Sequence, residues 1–271
     1  MDTSKFSKLF PQPKSLIGMI HVQALPGTPR NYLSIHEIAI QAVNEAQVLV
    51  QNGMQAIMLE NMHDRPYLNR QVGPEIISAL TRVATEVRAV CDLPLGIQIL
   101  AGANQAALSV AQAAELQFIR AEGFVFGHMA DEGLLQSDAG ELLRFRKMIG
   151  AEHIQIFTDI KKKHSSHAMT SDVSLEDTVE AAEFFLSDGV IITGTHTGKP
   201  VIQEELSAVY SAANLPVLVG SGVTAEGLAK TWDHADAFIV GSYFKLDGNW
   251  KNDPDPARVQ SLVNAREVLL S

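Results

Sequence analysis

Short apolar runs rich in β-branched residues alternate along the chain with longer segments whose apolar positions recur three and four apart, the periods of strands and helices. The first run, SLIGMIHV (15–22), precedes IHEIAIQAVNEAQVLVQNG (35–53), which puts Ile38, Ala42, Val43 and Ala46 on one face and stops at a glycine. QAIMLEN (55–61) precedes GPEIISALTRVATEVRAV (73–90), where Pro74 sits near a helix start. LPLGIQIL (93–100) pairs with NQAALSVAQAAELQ (104–117), and FIRAE (118–122) with the segment around AGELLRFRKMIG (139–150). HIQIFTDI (153–160) leads to SLEDTVEAAEFFLSDG (174–189), whose Ser174 and Asp177 suit helix capping. GVIITG (189–194) then leads to 203–214, LPVLVGSG (215–222) to 224–235, and DAFIVGSYF (236–244) to 255–270.

Eight strand–helix units with no linker between them predict parallel strands joined by helical crossovers. Eight units in about 250 residues is the size of a single (β/α)8 TIM barrel. A doubly wound open sheet would need a glycine-rich turn after the first strand. The chain instead reads HVQALPGTP there, and Pro26 and Pro29 oppose an immediate helix. Residues 1–14 form an N-terminal extension and 15–271 one α/β barrel domain.

Composition narrows the class. The 271 residues are 46% hydrophobic and 19% charged, as in a soluble protein with a large core. The net charge of −10 argues against nucleic acid as a partner, since phosphate backbones demand a basic stripe. Cys91 is the single cysteine, so one chain builds neither a disulfide nor a thiolate cluster, and a reducing, cytoplasmic setting is the simplest reading. The start, MDTSKFSKLFPQPK, lacks a secretory signal, and no apolar run reaches membrane-spanning length. A short organellar targeting remnant and a homo-oligomer are both compatible with the composition.

Active sites of such barrels lie at the C-terminal ends of the strands, so the residues closing each strand are the site candidates. They are polar: His21, Glu60 and Asn61, Gln98, Arg120 and Glu122, Asp159 and Lys161, and Thr193. Side chains alternate along a strand, so Arg120 shares a face with Glu122, and Asp159 with Lys161. If that face is inward, these charges must pair with each other, as Arg120–Glu122 and Asp159–Lys161, or with a ligand. Glu60, Glu122 and Asp159 suit general acid–base work or oxygen ligation of a divalent cation such as Mg²⁺; no cofactor is otherwise demanded. The first strand lacks the second histidine of a zinc-binding His-x-His pair, and His21 is either a general acid or ligand, or a hydrogen-bonded interior histidine.

Two loops are unusual. GFVFGHMADEGLLQSD (123–138) is long and glycine-punctuated, as in a lid or a compact Ω-loop. KKKHSSHAMTSD (161–172) concentrates cations in an acidic chain; it is either a solvated face or a place where Lys161, Lys163 or His164 meets an anionic substrate. Schiff-base chemistry by Lys161 finds no visible neighbour to lower its pKa.

The seventh and eighth strands both end in glycine and serine: Gly220, Ser221 and Gly222, then Gly241 and Ser242. Phosphate sites in these barrels form from those two loops, where glycine lets backbone N–H groups approach phosphate oxygens and serine adds a donor. The TGTHTGK stretch (193–199) is too short for a P-loop.

GMIHVQALPGTP (18–29), RAEGFVFGHMADEG (120–133), IFTDIKKKHS (156–165) and GSYFKLDGNWKNDPDPARV (241–259) together resemble the BtpA/SgcQ family over essentially the whole chain. The resemblance implies a TIM barrel akin to ribulose-phosphate-binding barrels. One cyanobacterial branch is named for photosystem I biogenesis; another is associated with sugar uptake and metabolism genes and carries a nucleotide-hydrolase label. No reaction comes with it. The residues favour an enzyme acting on a small phosphorylated metabolite, a sugar or nucleoside phosphate. An isomerase, epimerase or lyase fits better than a hydrolase or oxidoreductase, with Lys161 or His164 steadying negative charge and Asn61, Gln98, Arg120 and Thr193 contacting substrate. The alternative is a non-catalytic assembly factor.

Overall fold

Eight parallel strands close on themselves in the computed structural model, which describes residues 4–194 and 200–271. They are β1 (Ser15–His21), β2 (Ala56–Glu60), β3 (Leu95–Gln98), β4 (Phe118–Ala121), β5 (Gln155–Asp159), β6 (Gly189–Ile192), β7 (Val217–Val219) and β8 (Ala237–Val240). Closure is made by β1, which pairs with β2 on one side, His21 opposite Glu60, and with β8 on the other, Ser15 opposite Ala237. That pairing excludes the open sheet. Each strand of the barrel is followed by a helix, and the expected caps are in place. Asp177 N–H donates to Ser174 Oγ at 2.9 Å and Ser174 N–H to Asp177 Oδ2 at 3.0 Å, while Pro74 opens its helix (Pro74–Arg88).

Alternation divides the apolar side chains into two cores. One face of the strands packs outward on the helices through residues such as Leu16, Ile57, Ile97, Ile119 and Phe238. The other fills the barrel with Ile17, Met19, Met58, Phe118, Phe157, Ile191, Leu218 and Ile239. The N-terminal extension joins this second core. Its helix (Ser4–Leu9) brings Phe6 and Phe10 against the barrel interior, with ring centroids 5.9 Å apart for Phe6–Phe157 and 5.6 Å for Phe10–Phe118. Six residues are too few to hold a helix by themselves; the open floor of the barrel supplies the missing contacts.

Two elements differ from the pattern. The segment at 224–235 makes only a short helix (Leu228–Thr231) and a 3₁₀ turn (Trp232–His234), because Gly227 stands at its start and disfavours an earlier helical turn. Strands β7 and β8 end before their Gly–Ser dipeptides, which leave the ladder. Of the TGTHTGK stretch, residues 195–199 lie outside the described residues.

Candidate active site

The inward face of β1 to β5 turns polar at its C-terminal end, whereas β7 and β8 close on Gly220 and Gly241, and the expected parity holds. Above the apolar filling stand His21, Glu60, Gln98, Arg120 and Asp159, all nine-tenths or more buried, and Glu122 follows β4 in the same alternation. The ion pairs do not form within strands, as Arg120–Glu122 or Asp159–Lys161. They form across strands, because residues two apart on one strand are nearly 7 Å distant whereas neighbouring strands lie about 4.8 Å apart. Arg120 donates from Nε to Asp159 Oδ2 at 2.8 Å and from Nη2 to Asp159 Oδ1 at 2.7 Å, a bidentate fork. Burial opposes the Arg120 charge, but Asp159, with Glu60 and Glu122 behind it, outweighs burial and raises its pKa.

Glu122 is held from two sides. Gln98 Nε2 donates to its Oε1 at 3.0 Å, and Lys162 Nζ lies 3.2 Å from its Oε2 and 3.5 Å from Glu132 Oε2. Burial pushes the Glu122 carboxyl up, with Lys162 opposing. Burial likewise pushes Glu60 up, against the pull of Arg120 and Lys163. Its neighbour His21 has Nδ1 3.0 Å from the Trp250 carbonyl. A carbonyl only accepts, so Nδ1 carries the proton there, and burial, reinforced by Lys245, drives the imidazole well below its ordinary pKa. The bare Nε2 then faces Glu60 Oε2 at 3.7 Å. The result is a neutral imidazole beside a carboxyl that favours its protonated form.

The three carboxylates are each engaged separately, Asp159 by Arg120, Glu122 by Lys162 and Gln98, Glu60 by His21. Among the described residues no three His, Cys, Asp or Glu side chains gather as metal ligands. The donor set does not fit a resident Mg²⁺.

Past β5 the alternation lapses. Lys161 adopts φ 53°, and its ammonium donates to the Val173 carbonyl at 2.8 Å. Lys163, two residues on, reaches the central cavity instead. Lys161 and the exposed His164 line a neighbouring groove of about 910 Å³ with Ser165, Ser166 and Thr193. Asn61 is also turned to scaffolding: it donates to Asp64 Oδ2 at 2.9 Å and accepts from Leu100 N–H at 2.7 Å.

The central cavity holds about 240 Å³. It is lined by His21, Glu60, Arg120 and Lys163 together with Gly220, Ser221, Gly222, Gly241 and Ser242, Gly241 lying against His21 and Gly220 against Arg120. The glycines are required by space. A Cβ on Gly220 would stand 2.5 Å from Ile191 Cγ2, one on Gly241 3.1 Å from His21 Cε1, and Gly222 has φ +68°. Ser221 accepts from Gly194 N–H at 2.7 Å, tying the ends of β6 and β7 together. Arg258 joins this lining from the first turn of the last helix (Pro256–Leu270). Its signal was in the sequence: a cation in a first helical turn opposes the helix dipole and invites an anion nearby.

The two unusual loops meet over the site. The longer one contains a hairpin (His128–Ala130 with Gly133–Leu135), and Ser165–Ser166 from the lysine-rich loop adds a third antiparallel strand. Lys162 fastens this lid to Glu122. Arg70, which the sequence pattern did not single out, fastens its base, donating to Gly123 O at 2.8 Å and Asp138 Oδ2 at 2.6 Å.

A family model described as the BtpA family matches residues 12–268. The chain belongs to the BtpA family. A Caenorhabditis elegans relative, described as mitochondrial, is 46% identical over 95% of each chain. An Archaeoglobus fulgidus relative is 37% identical over 93% of this chain and 98% of its own. Photosystem I biogenesis protein BtpA of Synechocystis sp. is 30% identical over 92% of this chain and 87% of its own. Among solved structures, thiamine phosphate pyrophosphorylase from Pyrococcus furiosus superposes with a TM-score of 0.58 at 12% identity, covering 95% of this chain and 97% of that one. The tryptophan synthase α subunit of Legionella pneumophila gives 0.58 at 15% identity, covering 98% and 97%. The likeness to these solved structures is one of fold, and it makes this BtpA-family chain a TIM barrel. No helix among the described residues is long and apolar enough to cross a membrane.

Proposed function

We propose that the protein is an enzyme acting on a small phosphorylated metabolite, a sugar or nucleoside phosphate, by acid–base chemistry of the isomerase, epimerase or lyase kind. The observation that carries this reading is the single cavity that offers glycine backbone, serine hydroxyls and Arg258 together with buried protonatable groups. The Gly220 N–H is spent on the Ile192 carbonyl at 2.8 Å, so the backbone N–H groups of Ser221–Gly222 and Gly241–Ser242 hold the phosphate, and Arg258 neutralises it. Glu60 transfers the proton. Its raised pKa suits a group that must both give and take a proton near neutral pH, and neutral His21 orients it. Arg120, fixed by Asp159, steadies negative charge that develops on the substrate. At about 240 Å³ the cavity falls just below the roughly 300–1,000 Å³ of drug-sized ligand sites, which favours a compact sugar phosphate. The names of the structural neighbours, thiamine phosphate pyrophosphorylase and phosphoribosylanthranilate isomerase, are in keeping with phosphorylated ligands in this fold.

The name of the Synechocystis relative supports a second reading, a non-catalytic assembly factor. Thermal melts against inorganic phosphate, ribose 5-phosphate, ribulose 5-phosphate and nucleoside monophosphates, with and without Mg²⁺, separate the two. A site ligand at 100 times its Kd adds about 2.7 kcal/mol of stability. The enzyme reading expects a shift that Ser221→Ala with Ser242→Ala reduces, and loss of cellular function in Glu60→Gln. No shift from any phosphate compound, with cellular function intact in Glu60→Gln, leaves the assembly reading. The cytoplasmic setting is part of the first reading. The mitochondrial description of the C. elegans relative favours an organellar one, which fluorescence tagging of the full chain decides.

A further inference from the structure

Lys163 is not used by the proton transfer just described, yet its position is singular. Among the described residues it is the one that lines both the central cavity and the neighbouring groove. The charges that act on it most strongly are those of Arg120, Glu60, Asp159 and Glu122. Asp159 is spent on Arg120, Glu122 on Lys162, and Glu60 faces His21, so among the described residues no carboxylate lies within ion-pair distance of the Lys163 ammonium. Among the described residues no side-chain or backbone acceptor is bonded to it either, in contrast to Lys161, Lys162 and Lys245, each of which has one. A lysine kept from counter-ions inside a site walled by a phosphate cradle and a carboxylic acid is arranged as an amine nucleophile.

We infer that Lys163 forms a Schiff base with the carbonyl carbon of the substrate, which makes the substrate class a phosphorylated ketone or aldehyde. The inference rests on the phosphorylated-metabolite reading above. Burial, with Arg120 reinforcing it, lowers the Lys163 pKa and so increases the neutral amine available at pH 7. In the step itself the Nζ lone pair attacks the carbonyl carbon and the C=O π pair moves to oxygen. One amine proton passes to that oxygen, giving a neutral carbinolamine. Glu60, protonated at the start, gives its proton to the departing hydroxyl. Water leaves, nitrogen closes the C=N⁺ double bond, and the Glu60 carboxylate left behind balances the iminium charge. The iminium then draws electrons from the adjacent carbon, and the same carboxylate can take a proton there. One lysine and one glutamate thus serve isomerisation or carbon–carbon cleavage.

The test is reductive trapping. The full chain is incubated with ribulose 5-phosphate, dihydroxyacetone phosphate or glyceraldehyde 3-phosphate and sodium borohydride, which converts an iminium to a stable secondary amine. Peptide mass spectrometry then locates the adduct. An adduct on Lys163 is expected, formed to a lesser extent with unphosphorylated ribulose and lost in Lys163→Arg, which retains a folded melt. Thermal shifts by the same sugar phosphates in parallel keep the two readings distinct. Binding without any adduct, or an adduct only on lysines other than Lys163, overturns the Schiff base and leaves the phosphate reading standing. Neither binding nor adduct overturns both.

Discussion

Asp159→Ala isolates the ion pair that organises the barrel mouth. Arg120 and Asp159 are joined by two hydrogen bonds of 2.8 and 2.7 Å, with side chains only 6% and 1% exposed. Removing the carboxylate leaves a guanidinium that cannot lose its proton and has little access to water. Breaking a buried pair in this way costs about 3–5 kcal/mol. Glu60 and Glu122 also favour the Arg120 charge, and ionising one of them offsets part of the loss, so the lower end applies. At roughly 2–4 °C per kcal/mol for a domain of this size, the melting temperature falls by about 6–12 °C. Circular dichroism melts at pH 7 measure it, with Arg120→Met/Asp159→Leu as the control that removes both charges and regains most of the loss. A single variant that melts within about 2 °C of the parent, or a double variant no better than the single, would refute a stabilising pair.

His128, in the lid hairpin, is pushed down to about 4 by burial first and Lys162 second. Its unfolded-state value is near 6.5, so between the two values the unfolded chain binds the extra proton; the stabilisation is complete above pH 6.5 and is lost as pH falls through about 4. Urea titrations from pH 7 to 4 should lose about 3 kcal/mol from this source, and His128→Gln should flatten the slope; an unchanged slope would count against the assignment. Phe10→Ala, at a side chain 4% exposed, opens a cavity in the barrel floor and should cost about 3–5 kcal/mol in the same titration; a loss under about 1 kcal/mol means the helix at 4–9 does not plug the barrel. Gly220→Ala drives a methyl to 2.5 Å from Ile191 Cγ2 and 3.4 Å from Arg120 Nη2, so it should cost about 1–3 kcal/mol and weaken phosphate-dependent thermal shifts together; a variant with wild-type shifts would remove Gly220 from the cradle.

The barrel was legible because its signal is local: a strand buried on both faces reads as an apolar run, and a helix beside it as a period of 3.6. Inward parity was legible for the same reason, and it gathers His21, Glu60, Gln98, Arg120, Glu122 and Asp159 without any knowledge of register. Which charge meets which was not legible, since Arg120 finds Asp159 through the pairing of β4 with β5, a contact between strands far apart in sequence. The helix at 4–9 was hidden because the one ring contact of Phe6 with Phe10, centroids 5.0 Å apart, is too little to hold it, and the rest of their packing exists only once the floor does. Lys161 was put on the inward face with Asp159, and Lys163 named beside it as one loop cation among three, because alternation was carried past the last residue of β5; the left-handed turn at Lys161 breaks that count.

The same turn explains how the site tolerates so many ionisable groups in a confined space. Burying several charges together is costly unless each is paired or gives up its charge. Two solutions coexist here. The cations Arg120 and Lys162 keep their charges, Arg120 by pairing with Asp159 and Lys162 by pairing with Glu122. His21, Glu60 and Lys163 have no such partner, and burial moves each of them toward its neutral form. The paired cations serve as electrostatic scaffolding; the unpaired groups sit where a small change in surroundings moves a proton. A phosphorylated substrate entering beside Arg258 brings negative charge, which favours protonating Lys163 and Glu60 unless a covalent bond or a proton transfer intervenes. The division of labour in the cavity therefore follows from which side chains the barrel pairs and which it leaves alone.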